Sequence, residues 1–121
     1  MMLTLLLAVI TAGGCRSESF AHKTKLAFCN AALVTATPFH VFPIERDRSS
    51  MIRLERGIAL AQLERTSDAR SDFAAALRFM VNKGQASWLR DEHLRRIARL
   101  RGTRTEALWR SVLDGLIADE Y

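Results

Sequence analysis

The sequence predicts an all-α fold, and three observations carry that prediction. Apolar residues recur at spacings of three and four along most of the chain. Turn and capping signals cut those stretches into helices of ordinary length. Strand-like alternation is confined to the short segment Phe39 to Phe42. With 121 residues, 49% hydrophobic and 26% charged, the composition is that of one folded domain rather than a disordered chain. The net charge of +5, carried mostly by arginine, favours acidic partners such as anionic lipid, a polyanionic polymer or nucleic acid.

Met1 to Ala12 contains no charged side chain. Its apolar run is about ten residues long, whereas a spanning helix needs about twenty, so residues 1–14 are expected to be an export signal. Ala12-Gly13-Gly14-Cys15 resembles the lipobox of bacterial lipoproteins, in which small residues precede a cysteine that becomes the lipidated mature N-terminus. The resemblance implies lipid attachment at Cys15 and a membrane anchor through that lipid. Ala12 stands where leucine is usual, and no Lys or Arg precedes the apolar run. Cleavage by the ordinary signal peptidase, for example after Ser19-Phe20-Ala21, and an uncleaved anchor or ordinary buried segment are the alternatives. Without lipid, Cys15 and Cys29 are free to form a disulfide; otherwise Cys29 is a small buried residue of a helical face.

Residues 15–22 read as a polar tether. A first helix is expected from Lys23 to about Ala36, where Pro38 ends it. Thr37 to Ser49 holds both prolines and is expected to cross the surface as an ordered loop, pinned to the core by Phe39, Val41 and Phe42. The helical period returns at Ser50, with Met51, Leu54, Ile58 and Ala61 on one face. A break at Glu64 to Thr66 separates it from a helix over Ser67 to Val81, with Asp68 favoured in the first turn by the helix dipole and Asn82-Lys83-Gly84 as a stop. Ser87 caps a helix to about Leu100, terminated by Gly102. Thr103-Arg104-Thr105-Glu106 is a capping box that starts a last helix to about Ala118, with Val112, Leu113, Leu116 and Ile117 in its apolar stripe. About five helices result. Trp88 and Trp109 are expected to anchor the core.

Gly57, Ala69, Phe73 and Ala76 stand at the offsets of a tetratricopeptide repeat, and residues 50–83 resemble one full repeat of that family. The resemblance implies a helical hairpin in which Gly57, Leu60, Ala69, Phe73 and Ala76 set the packing. Arg53, Leu60 and Val81 replace the family's usual tryptophan, tyrosine and proline. Phe28 to Leu33 resembles the second helix of a preceding degenerate repeat. Residues 23–121 would then form one repeat-like domain, closed by capping helices over 87–119. In the family the first helix of each repeat lines a concave surface, which here implies partner contacts at Met51, Leu54, Ile58 and Ala61. The opposing expectation is that the 39–42 loop or the last helix covers that stripe.

Seven arginines lie between 90 and 110. Arg95, Arg96 and Arg99 are expected on a basic surface suited to anionic lipid or an acidic envelope polymer. Asp91 with Arg95, and Glu92 with Arg96, are spaced to pair along a solvated face. His22, His40 and His93 are scattered, with no metal-ligand spacing, phosphate loop or nucleophile elbow, so neither enzyme activity nor a cofactor is expected. Export argues against nucleic acid as a partner. The expectation is a protein-binding scaffold of the bacterial cell envelope, lipid-anchored or periplasmic; the alternative is a structural or self-associating helical domain.

Overall fold

The structure, a computed structural model, describes residues 6, 10, 11, 13–16, 21–36, 43–81 and 87–120. An N-terminal helical segment, α1, is seen at 10, 11 and 13–16. It is followed by α2 (His22–Ala36), α3 (Pro43–Gln62), α4 (Thr66–Val81), α5 (Ser87–Ala98) and α6 (Arg104–Glu120). The fold is all-α, with no strand among the described residues. The segment from Thr37 to Phe42, with its three apolar side chains at 39, 41 and 42, lies outside the described residues, as does the side chain of Trp88.

The expected loop over Thr37 to Ser49 is corrected in its second half, because α3 begins at Pro43. Proline is tolerated in the first turn of a helix, where its missing N–H would have no intrahelical acceptor and its fixed φ suits the helix. Pro43 therefore opens α3 rather than breaking it. At the other end, Glu64 adopts φ 62°. The Arg65 N–H reaches the Leu60 carbonyl at 2.8 Å and the Glu64 N–H reaches Ala61 at 3.1 Å. These two bonds close the helix as a Schellman motif, with glutamate in the left-handed position that glycine usually fills. Gly102, at φ 82°, takes the left-handed position in the turn that follows α5, without the Schellman bond pair. In the capping box after it, the Glu106 N–H donates to Thr103 Oγ1 at 3.2 Å. The Glu106 carboxylate accepts from Gly102 N–H at 3.2 Å instead of from Thr103, whose own N–H is already bonded to Leu100 at 3.0 Å.

The central helix is α3, which packs against α2, α4, α5 and α6. Its crossing with α4 is a close one. A methyl group on Gly57 would lie 2.7 Å from Cδ1 and Cε1 of Phe73 and 3.3 Å from Cβ of Asp72, so the aromatic ring occupies the space that a side chain at 57 would need. Ala69, Phe73, Ala76 and Leu77 are all fully buried on the facing side of α4. The main core continues from there to Ile97 and Leu100 at the end of α5 and to Trp109 on α6.

A second, smaller core holds a disulfide between Cys15 and Cys29, with Cα atoms 4.5 Å apart. Ala32, Leu33 and Ile52 surround it. Gly14 is buried against the ring of Phe28, where a Cβ would meet Cγ at 2.5 Å. The disulfide is the one that the sequence left open as the alternative to a lipid on Cys15, and a sulfur bonded to Cys29 has no thiol to alkylate. Of the segment read as a tether, Cys15 is buried in this core and His22 begins α2, while 17–20 lie outside the described residues. Closing a loop of this length adds about 3 kcal/mol of stability through the unfolded chain.

Gly57→Ala tests the hairpin crossing. Alanine improves helix propensity by about 1 kcal/mol, but overpacking against a fixed ring costs about 1–3 kcal/mol. The expected net result is a loss of stability by up to about 2 kcal/mol in a denaturant titration. Gly115→Ala on α6, where nothing lies within 4 Å of the added methyl, should instead gain up to about 1 kcal/mol.

Candidate functional site

The apolar stripe that the repeat resemblance assigned to a partner is core. Met51, Leu54 and Ile58 are buried with Phe73, Leu77 and Trp109, and Ala61 is partly buried against the same cluster. Helices α5 and α6 both pack on α3. The stripe is therefore covered from within the chain, and the four residues do not present a groove. This corrects the expected site: of the two covers named for the stripe, the last helix packs on α3, joined by α5, and the 39–42 loop lies outside the described residues.

Glu55 completes this buried face, and its charge organises three helices. Arg96 Nε on α5 donates to Glu55 Oε1 at 2.6 Å, while Lys25 Nζ on α2 donates to Oε2. All three side chains are at least nine-tenths buried. Arg96 is thus not part of a basic surface. Arg95 remains exposed but pairs with Glu92 one turn back, not with Asp91, and Arg99 is exposed just past the end of that helix. The expected ladder of Asp91 with Arg95 and Glu92 with Arg96 gives way because Arg96 turns inward to the stronger, desolvated partner.

Ser50 and His93 form a second buried polar contact between α3 and α5. Ser50 Oγ donates to the Ala76 carbonyl at 3.1 Å, which commits its only hydrogen. The 3.4 Å contact to His93 Nε2 is then ring N–H to hydroxyl oxygen, leaving Nδ1 as an acceptor with no partner among the described residues. A serine whose hydrogen is committed to a backbone carbonyl is not activated by this histidine. Burial pushes the His93 pKa down to about 4. The neutral form is favoured in the fold, so the unfolded chain binds more protons between that value and its ordinary value near 6.5. The contribution is whole above about pH 6.5 and is lost as pH falls toward about 4. Denaturant titrations across that range should show stability falling by about 3 kcal/mol, and His93→Gln should remove most of the slope.

The opposite side of α3 is open. Leu26 and Asn30 from α2, Arg53, Arg56 and Leu60 from α3, and Arg78 from α4 line a groove of about 510 Å³. Its best-ordered charge is a fork of Arg56 and Asp72, with Nε to Oδ2 at 2.6 Å and Nη2 to Oδ1 at 2.7 Å. Arg56 Nη1 also donates to Asn30 Oδ1 at 3.1 Å, which ties α2 to the hairpin. The hydrogen bonds that Arg56 donates to Asp72 raise the Arg56 pKa above its ordinary value, against the opposing effect of partial burial. Arg65 pairs with Asp68 at the exposed rim. A second depression, of about 500 Å³, lies between the α3–α4 turn and α6, lined in part by Arg70, Arg104 and Leu108.

Sequence reasoning missed Lys25, Glu55, Arg56, Asp72 and Arg78. One signal was available for Glu55, which falls within the stripe of 51, 54 and 58 at helical spacing, so a charge had to be buried with it. Nothing in the one-dimensional pattern pairs Arg56 with Asp72 or turns Arg96 inward.

These features define a small all-helical domain built on a close-packed helical hairpin, with a charged latch beneath one face and a groove on the other. No protein family matches the chain, and no curated protein and no solved structure is significantly similar to it. Among the described residues, no helix is long and apolar enough to cross a membrane.

Proposed function

We propose that this chain is a protein-binding scaffold of the cell envelope, built on a tetratricopeptide-like hairpin, and that its partner surface is the groove between α2, α3 and α4. The observation that carries this reading is the asymmetry of α3: its apolar face is consumed by the chain's own helices, while Arg53, Arg56 and Leu60 line a groove large enough for side chains of a partner. The Gly57–Phe73 crossing and the buried Ala69 and Ala76 support the likeness to a tetratricopeptide hairpin. Placement in the envelope draws on the apolar N-terminal run and on the Cys15–Cys29 disulfide, a bond characteristic of oxidising compartments. The competing reading, an arginine-rich surface on α5 against anionic lipid or polymer, loses Arg96 to Glu55 and has Arg95 already paired.

Site-directed photo-crosslinking in cells tests the reading. A reactive residue at Ser71, which lines the groove, should give one discrete protein adduct, and the same residue at the exposed Ala98 on α5 should not. No adduct from 71 in a folded chain, or the same adducts from both positions, would contradict it.

A further inference from the structure

The charges of the groove do not balance. Its lining contains four arginines, at 53, 56, 65 and 78, and two aspartates, at 68 and 72. Both aspartates are committed: Asp72 uses its two oxygens on Arg56, and Asp68 pairs with Arg65. Arg56 in turn has Asn30 on its remaining arm. Two guanidinium groups are left. Neither Arg53, half-buried on α3, nor Arg78, exposed on α4, makes an ion pair with a described residue. Partial withdrawal of Arg53 from water without a counter-charge is a cost that an incoming anion reverses.

We propose that the groove takes an extended acidic segment of the partner protein, alternating carboxylate and apolar side chains, with Arg53 and Arg78 pairing to its carboxylates. This rests on the reading of the groove as the partner surface and names the chemistry of what it binds. Three features select a peptide. Arg53 and Arg78, without an ion pair to a described residue, stand on different walls, α3 and α4, so an anionic ligand that reaches both enters between the helices. Leu26, Ala74 and Ala75, each partly buried, line the groove beside the charges and provide apolar contact for alternate side chains. The rim carries Asp68, which opposes a continuous polyanion but leaves room for spaced carboxylates. Guanidinium forks match carboxylates in bidentate geometry, as Arg56 and Asp72 already do within the same groove.

The probe is a fluorescent peptide alternating Glu and Leu, titrated by anisotropy against the oxidised full chain, beside the same peptide with Gln for Glu. The Glu peptide should bind, weaken as salt is raised, and outcompete the Gln peptide. Arg53→Glu together with Arg78→Glu should lower affinity by about a hundredfold, because each charged hydrogen-bond pair is worth about tenfold or more. The milder pair Arg53→Gln and Arg78→Gln should also weaken binding and guards against misfolding, checked by circular dichroism. Arg99→Glu should change little. Absence of Glu-peptide binding at low salt, or binding that survives the double reversal in a folded protein, overturns the proposal. Vesicles of anionic lipid that bind through Arg53 and Arg78 while the peptide does not would assign the groove to a membrane and also overturn it. A discrete adduct from Ser71 that is indifferent to the reversals would sink the acidic ligand and leave the scaffold reading standing; loss of the adduct at Ser71 in the unaltered chain would sink the scaffold reading itself.

Discussion

The carboxylate of Glu55 constrains this fold more than any other group. It is buried and held between Arg96 and Lys25, which come from α5 and α2. A buried charge is tolerated only when it is paired and hydrogen-bonded, and removing one partner of a buried pair costs about 3–5 kcal/mol. Glu55 therefore cannot stay buried unless both flanking helices arrive in register. The geometry matters most for α2, whose apolar residues are spread around its circumference with almost no preferred side. Apolar burial alone would fix its rotation poorly. Lys25 on Glu55, Asn30 on Arg56 and the disulfide at Cys29 supply the orientation instead.

That arrangement divides α3 lengthwise. One face carries Met51, Leu54, Glu55 and Ile58 into a core closed by α5 and α6. The adjacent face carries Arg53, Arg56 and Leu60 along the groove. The close approach of α3 and α4 at Gly57 holds the two together, because the Phe73 ring fills the position where any larger residue would separate the helices. The arginine side is thus carried on a close-packed pair of helices rather than on loops. The bidentate ion pair of Arg56 with Asp72 bridges the two helices within the groove, where neither Arg53 nor Arg78 makes an ion pair with a described residue.

Much of this architecture was legible in the sequence. Small residues at 57, 69 and 76 with an aromatic at 73 specify a close helical crossing, and that crossing is where the sequence places it. The glycine stop at 102 and the threonine cap at 103 were also readable, since local hydrogen bonding decides them. The beginning of α3 was not, because Pro43 looks the same whether it breaks a helix or opens one. The site was misread for a different reason. Periodicity shows that Met51, Leu54 and Ile58 share a face but not what covers it, and the cover comes from α5 and α6, more than thirty residues away for Leu100 against Leu54. Likewise, Arg96 reads as surface in a run of polar residues until Glu55, forty-one positions earlier, turns it inward. Pairings across such distances leave no mark on local pattern.

The central claim is that α3 hides its apolar face and offers its arginine face. It is tested most directly by placing a single new cysteine at 53 or at 54, with the native disulfide intact, and following thiol labelling in the folded protein. The account predicts rapid labelling of Arg53→Cys and labelling of Leu54→Cys slowed to the rate at which the domain opens. Equal, rapid labelling at both positions, in variants that are folded by circular dichroism, would contradict it.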